Sequence, residues 1–270
     1  LGYEEGKTVQ YTIKYVDKRE DLPGVLEELI KNGVDLIHTY STPATVDAYA
    51  QSKTIPIVFG SMGDPMAAGI VQSLQKPGTN VTGISSLSVD TAAKRVELLK
   101  ELFPSAKRAA FPYTPTDIAG KRSFDVATEA VTKVGMTLVP YEVSPRRSVQ
   151  DTALAIRRAD VDGIVISADS ATWSALASFV AQAEKERLPF IVFDKNMVDN
   201  GGLVGYGPDY FAVGEQAAVL AHKILHGFSP ADLPVETPAK FILAANLKTA
   251  SAIGVTLPDA FLSKVDYLVK

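Results

Sequence analysis

Three hydroxyls and two carboxylates stand where a chain commonly meets a small molecule. Ser41 and Thr42 follow an apolar run at 34–39, and Ser61 follows the run at 55–59. Asp169 and Ser170 come after a run at 163–167, and Asp194 after one at 189–193. Hydroxyls beside the free N–H groups of a helix start can hold an anion such as a carboxylate. A carboxylate can hold an ammonium through a charge-assisted hydrogen bond. Together such groups would grip a zwitterion by its two ends. Each also has an equally good ordinary role: Ser41, Thr42, Ser61 and Asp169 can cap a helix start, and Asp194 can be a turn residue ahead of a short turn at 196–200. Tyr113, with Thr114 after it, Phe193 and Tyr206 lie at the ends of apolar runs too, where a ring either stacks on a ligand side chain or packs. Asp64 reads as a pure cap, and Trp173 as core packing more than as a ligand contact.

The elements that must position these residues repeat one grammar. A short apolar run, too short for a helix, is followed by a polar turn and a capping residue, often beside Pro: Ser41-Thr42-Pro43, Asp64-Pro65, Thr114-Pro115-Thr116-Asp117, Ser144-Pro145, Asp169-Ser170. Runs of this kind read as strands buried on both faces, and the caps read as helix starts. Alternating strands and helices predict parallel sheets, whose strand tips lie along one edge, where open α/β sheets bind ligands. Expected strands are 9–16, 34–39, 55–59, 81–85, 107–111, 137–143, 162–167, 189–193, 203–206 and 241–246. Expected helices are 21–32, 43–52, 65–75, 89–103, 117–134, 147–159, 170–186, 210–226, 249–254 and 259–265. The pattern restarts near residue 87, so two lobes are expected, joined by short crossings near 84–88, 206–209 and 238–242.

Composition narrows the classes of function. The 270 residues are 46% hydrophobic and 21% charged, with a net charge of −4 and no cysteine. That balance offers no basic field for nucleic acid. No apolar run approaches the ~20 residues of a membrane span. The absence of thiols removes disulfides, thiolate chemistry and cysteine-based metal sites. Enzyme signatures fail one by one. Gly60-Ser61-Met62-Gly63 has the wrong spacing for a nucleophile elbow. Gly205-Tyr206-Gly207 lacks the third glycine of a dinucleotide fingerprint, and no phosphate loop occurs. His222 and His226 share a helix face at i, i+4 but read first as a surface helix end, where the dipole favours His. His38, inside an expected strand, reads as a satisfied core residue. No cofactor or metal site follows.

Three segments carry more than pattern: IPIVFGSMGDPMAAGIVQSLQKPGTNVTGISS, GYGPDYFAVGEQAAVLAHKILHGFSPADLPVE and FILAANLKTASAIGVTLP. With KPGTNVTG, DYFAVGEQAA and NLKTASAIGV, they strongly resemble ABC-transporter substrate-binding proteins of the tryptophan/tyrosine-binding type, from Gly2 to the C-terminus. The resemblance implies a type I periplasmic binding protein fold: two Rossmann-like lobes joined by three hinge crossings that close on a small molecule. It places lobe 1 at 1–84 and 208–238 and lobe 2 at 85–207 and 239–270. It implies an Asp at both Asp169 and Asp194, an amino-acid ligand, a membrane permease as partner, and a monomer in the periplasm or anchored outside the membrane. Members carry a first strand and helix ahead of the element at Gly2–Gly6. Here the chain opens on what looks like the end of a helix, so lobe 1 is expected to lack them, with 9–16 flanking a gap or paired unusually. Two other functions fit the same lobes: the sensory ectodomain of a receptor, and a small-molecule enzyme using the cleft.

Overall fold

The computed structural model describes residues 1–16, 18–144 and 147–270. Along the chain run α1 (Leu22–Lys31), β1 (Ile37–Tyr40), α2 (Thr42–Gln51), β2 (Ile57–Met62), β3 (Val81–Ser85), α3 (Ala92–Leu102), β4 (Arg108–Tyr113) and α4 (Ile118–Lys133). There follow β5 (Thr137–Glu142), α5 (Val149–Leu154), β6 (Gly163–Val165), α6 (Ser170–Ser174), α7 (Leu176–Glu186), β7 (Phe190–Val192) and α8 (Lys195–Asp199). The last are β8 (Val204–Pro208), α9 (Tyr210–Leu225), β9 (Phe241–Asn246), α10 (Leu247–Ile253), α11 (Asp259–Leu262) and β10 (Tyr267–Val269). The chain forms two compact units, Leu1–Ser86 with Tyr210–Ala239, and Leu87–Asp209 with Lys240–Lys270. It passes from one to the other three times.

Unit 1 is built on a three-stranded parallel sheet in the order β1-β2-β3. Ile57, Val58 and Phe59 of β2 are all fully buried, as a strand covered on both faces requires. Alternation sends Ile57 and Phe59 to one side, with Leu26 of α1 and Ala48 of α2. Val58 goes to the other, with Val213, Ala217 and Leu220 of α9. The register slips at the end of β2, where Tyr40 pairs with Ser61 and Met62 with Ser85. Such an irregularity re-aims the side chains beside it.

Unit 2 is built on a seven-stranded sheet in the order β10-β9-β8-β7-β6-β4-β5. It is parallel except that β9 runs antiparallel to β8. Alternation again divides the core. Phe111, Val165, Ile191 and Val204 pack with Val96 and Leu99 of α3. Ala110, Ile164, Phe190 and Val192 pack with Phe179 of α7.

Several expectations are corrected here. The segment 9–16 forms no strand: Val9 makes one bridge to Glu5, and Tyr11, Ile13 and Tyr15 point into solvent, 53%, 69% and 91% exposed. Its alternation needs a ladder partner to become a strand, and among the described residues no other strand pairs with it. The stretch 65–75 is not a helix but a series of turns, with Gly69 at φ +68 and Ile70 and Val71 tucked into the core. The expected helix 170–186 breaks at Ala175, where φ −102 and ψ 17 separate α6 from α7. The expected helix 147–159 is only the short α5, capped by Ser148 rather than at 144–145, and Pro145 lies outside the described residues. The short turn expected at 196–200 is a helix, α8, and β10 is an additional strand beyond the expected helix 259–265, of which α11 forms the first part. His38 is not a core residue; it lies on the exposed face of β1 with Nδ1 2.9 Å from the Val58 carbonyl.

Candidate ligand-binding site

In unit 1 the structure brings Ser41, Thr42 and Ser61 together at the junction of β1, the slip in β2, and the start of α2. Ser41 caps α2 through its Oγ, which accepts from Ala44 N at 3.4 Å. Its amide donates to the Ser61 carbonyl at 3.0 Å. Its backbone sits at φ 102 and ψ 152, a conformation that costs a non-glycine residue roughly 1–3 kcal/mol. Thr42 Oγ1 accepts from Gly63 N at 3.3 Å. All three residues are half-buried. Hydroxyls, the slipped strand end and the N-terminus of a ten-residue helix therefore share one small region, suited to an anionic group. Asp64 accepts from Ala67 N at 2.9 Å, but it closes the first of the turns at 65–75 and there is no helix for it to cap.

In unit 2 the two aspartates differ. Asp169 is buried and saturated: Oδ2 accepts from Thr114 N at 3.1 Å and from Ser167 Oγ, and Oδ1 accepts from Thr172 N at 2.8 Å and Thr114 Oγ1 at 3.4 Å. It caps α6 and ties the end of β4 to the end of β6. Helix α4 comes so close that a Cβ on Gly120 would lie 2.8 Å from the Thr114 carbonyl and 3.0 Å from Asp169 Oδ2. Thr114 is thus part of this brace, while Ser170 beside it is exposed.

Asp194 is buried as deeply, but with fewer donors. Oδ1 accepts from Met197 N at 2.7 Å, capping α8, and Oδ2 accepts from Trp173 Nε1 at 3.4 Å. Burial pushes its carboxyl above the usual carboxylate range, against the pull of those bonds, of the Asn196 backbone N–H and of the Arg95 charge. Arg95 is fully buried, donates from Nη1 to Thr91 Oγ1 at 2.8 Å, and holds its guanidinium 5.9 Å from the centre of the Phe193 ring. Trp173 stays 48% exposed as a residue while its indole N–H is tethered to Asp194.

Strand β8 explains the glycines that imitate a dinucleotide motif. A Cβ on Gly205 would lie 2.8 Å from the Asp194 carbonyl oxygen, and one on Gly207 only 1.8 Å from that of Phe193. The glycines let the backbone at 193–194 lie against β8. Tyr206 between them is half-buried and stacked on Phe241 at 5.8 Å and 16°.

Tyr113 stands apart from this group. Its ring is 4% exposed and stacked on Phe124 at 4.4 Å and 7°, and its Oη donates to Glu142 at 3.0 Å. In this structure β4 packs it into the core of unit 2. Burial and the Glu142 carboxylate push its phenol up to about 12 from 10.0. The unfolded phenol ionises first, so the stability present below pH 10 declines as pH rises towards about 12. Tyr113→Phe is expected to flatten that decline, read from denaturation midpoints across alkaline pH. An unchanged decline would assign it to other groups.

Two residues of this group were missed or misjudged from sequence. Arg95 carried a signal, since it lies on the same helix stripe as Ala92 and Leu99, a charge where the period demands an apolar residue. Trp173 carried none, because a ring in a first helical turn packs or projects according to tertiary context. Among the described residues no three His, Cys, Asp or Glu side chains form a metal site, and no helix is long and apolar enough to cross a membrane.

The fold and these polar strand tips define a class, the type I periplasmic binding protein fold. Residues 1–269 match the family of ABC transporter substrate binding proteins, and the chain belongs to that family. It is 30% identical over 256 residues to a tyrosine-binding protein of Clostridioides difficile, covering 93% of this chain and 72% of that protein. A structure of an ABC domain from Streptococcus pneumoniae in complex with L-Trp aligns with a TM-score of 0.84 and 26% identity, covering 93% of this chain and 86% of that one. A conserved domain protein of Vibrio cholerae aligns with a TM-score of 0.92 and 29% identity, covering 99% and 90%.

Proposed function

We propose that this chain is a non-catalytic, extracytoplasmic receptor for an amino acid with an aromatic side chain, and that it delivers its ligand, as a monomer, to the membrane permease of an ABC importer. The two compact units act as its lobes. Ser41, Thr42 and Ser61 of unit 1 hold the ligand carboxylate. Asp194 of unit 2 holds the ammonium, and Trp173, Phe193 and Tyr206 shape the place of the side chain. Asp169 serves as the brace that fixes Thr114 and α6. A ligand gripped at its two ends by separate units binds the closed arrangement better than the open one, and that difference shifts the population.

The observation that carries this reading is Asp194: a buried carboxylate with an exposed indole bonded to it, in a family of substrate-binding proteins. The relatives that bind tyrosine and tryptophan support the ligand class.

Trp173 is the only tryptophan of the chain, which makes it a direct reporter. Adding L-tyrosine, with excitation at the red edge where tyrosine does not absorb, is expected to shift and saturably change its emission. Unchanged emission alongside calorimetric binding would remove Trp173 from the site. No binding by either method would remove the tyrosine reading.

A further inference from the structure

Helix α9 ends in a histidine pair that ligand binding does not use. His222 and His226, four residues apart, share one face, with ring centres 4.1 Å apart and planes tilted by 47°. His226 Nδ1 lies 2.8 Å from the backbone carbonyl oxygen of His222. A carbonyl only accepts, so the proton sits on Nδ1, and the lone pair of Nε2 is left over. His222 Nδ1 lies 3.0 Å from Tyr3 Oη, and the two rings meet edge-on at 5.7 Å. In the tautomer where Nδ1 donates to the phenol oxygen, the second Nε2 is a lone pair as well. An oxygen partner on the far ring nitrogen is how metal-ligating histidines are held in orientation and tautomer. His226 is exposed and His222 half-buried, so an ion can reach both.

We propose that His222 and His226 form a two-imidazole site for a divalent transition metal ion, with Tyr3 as a positioning residue acting through His222. Among the described residues no third His, Cys, Asp or Glu joins them, so water completes the coordination. Imidazole ligands suit Cu2+, Ni2+ and Zn2+ rather than Mg2+ or Ca2+, and Cu2+ is held most tightly of the series. The ion would sit on α9, with Tyr3 on the opposite ring nitrogen of His222.

The test is titration of the untagged full chain with Cu2+, followed by calorimetry and electron paramagnetic resonance. The parent, His222→Gln with His226→Gln, and Tyr3→Phe are compared, with circular dichroism to confirm folding. The parent is expected to bind one Cu2+ with two imidazole nitrogens in its spectrum, and the double variant to lose that signature. Tyr3→Phe should bind about tenfold more weakly, the cost of a lost outer partner. If the double variant keeps the parent's isotherm and spectrum, the ion is held elsewhere, such as at the chain's amino terminus, and the site is refuted. If Tyr3→Phe binds as the parent does, Tyr3 has no positioning role.

Discussion

Asp194→Asn is expected to weaken the binding of L-tyrosine by about 2–5 kcal/mol, the usual cost of leaving one partner of a buried charge pair alone. The amide keeps the shape of the side chain, and its Oδ1 still accepts from Met197 N, so the cap on α8 survives. The negative charge is removed, and with it the acceptor for the Trp173 N–H, since the amide nitrogen only donates. Asp169→Asn provides the contrast. That carboxylate already accepts from four donors, so its loss should lower the unfolding midpoint while affinity stays within about twofold, or ~0.5 kcal/mol. Calorimetry on the two variants separates the roles. Equal affinity for Asp194→Asn and the parent would take Asp194 out of the grip.

A second large effect is expected at Gly207. A methyl group there would meet the Phe193 carbonyl oxygen at 1.8 Å, which neither backbone can relieve by a side-chain rotation. Gly207→Ala should therefore force β8 away from residues 193–194 and destabilise unit 2 by about 3 kcal/mol or more, at the high end for a point substitution. Urea unfolding followed by Trp173 emission reads this unit in particular. Gly214→Ala is the control: its added methyl meets nothing within 4 Å, and α9 should gain roughly 0.5–1 kcal/mol in helix propensity. If both variants unfold alike, the close approach at Gly207 is not a constraint.

Much of this architecture was legible because capping chemistry is local. Ser41, Asp117 and Asp169 each accept from a backbone N–H three residues on, as their position after an apolar run suggested, and Asp194 does the same where only a turn was expected. Apolar runs such as 55–59 and 189–193 became buried strands because nothing polar interrupts them. What failed to read depended on partners far along the chain. The alternation of Tyr11, Ile13 and Tyr15 is a strand pattern, but a strand exists only where a neighbour completes its ladder. The turns at 65–75 carry a helix-start signal in Asp64-Pro65, yet Gly69 and the burial of Ile70 and Val71 bend the chain instead. The direction of β9, antiparallel to β8, follows from a connection through unit 1, which no periodicity encodes. At the site, residue type suggested both aspartates equally. Only the count of donors around each distinguishes them, and that count is why the proposed grip is assigned to Asp194.

The most direct measurement of the central claim is calorimetry of the full chain with L-tyrosine and L-tryptophan, set against analogues that lack one charged end. These are tyramine and tryptamine, without the carboxylate, and hydroxyphenylpropionate and indolepropionate, without the ammonium. A grip on both ends of a zwitterion predicts saturable binding of at least one of the two amino acids. It also predicts a loss of at least about 2 kcal/mol, roughly thirtyfold, for each corresponding analogue. Binding of the analogues as tight as that of the parent amino acid, or binding of neither amino acid, would contradict it.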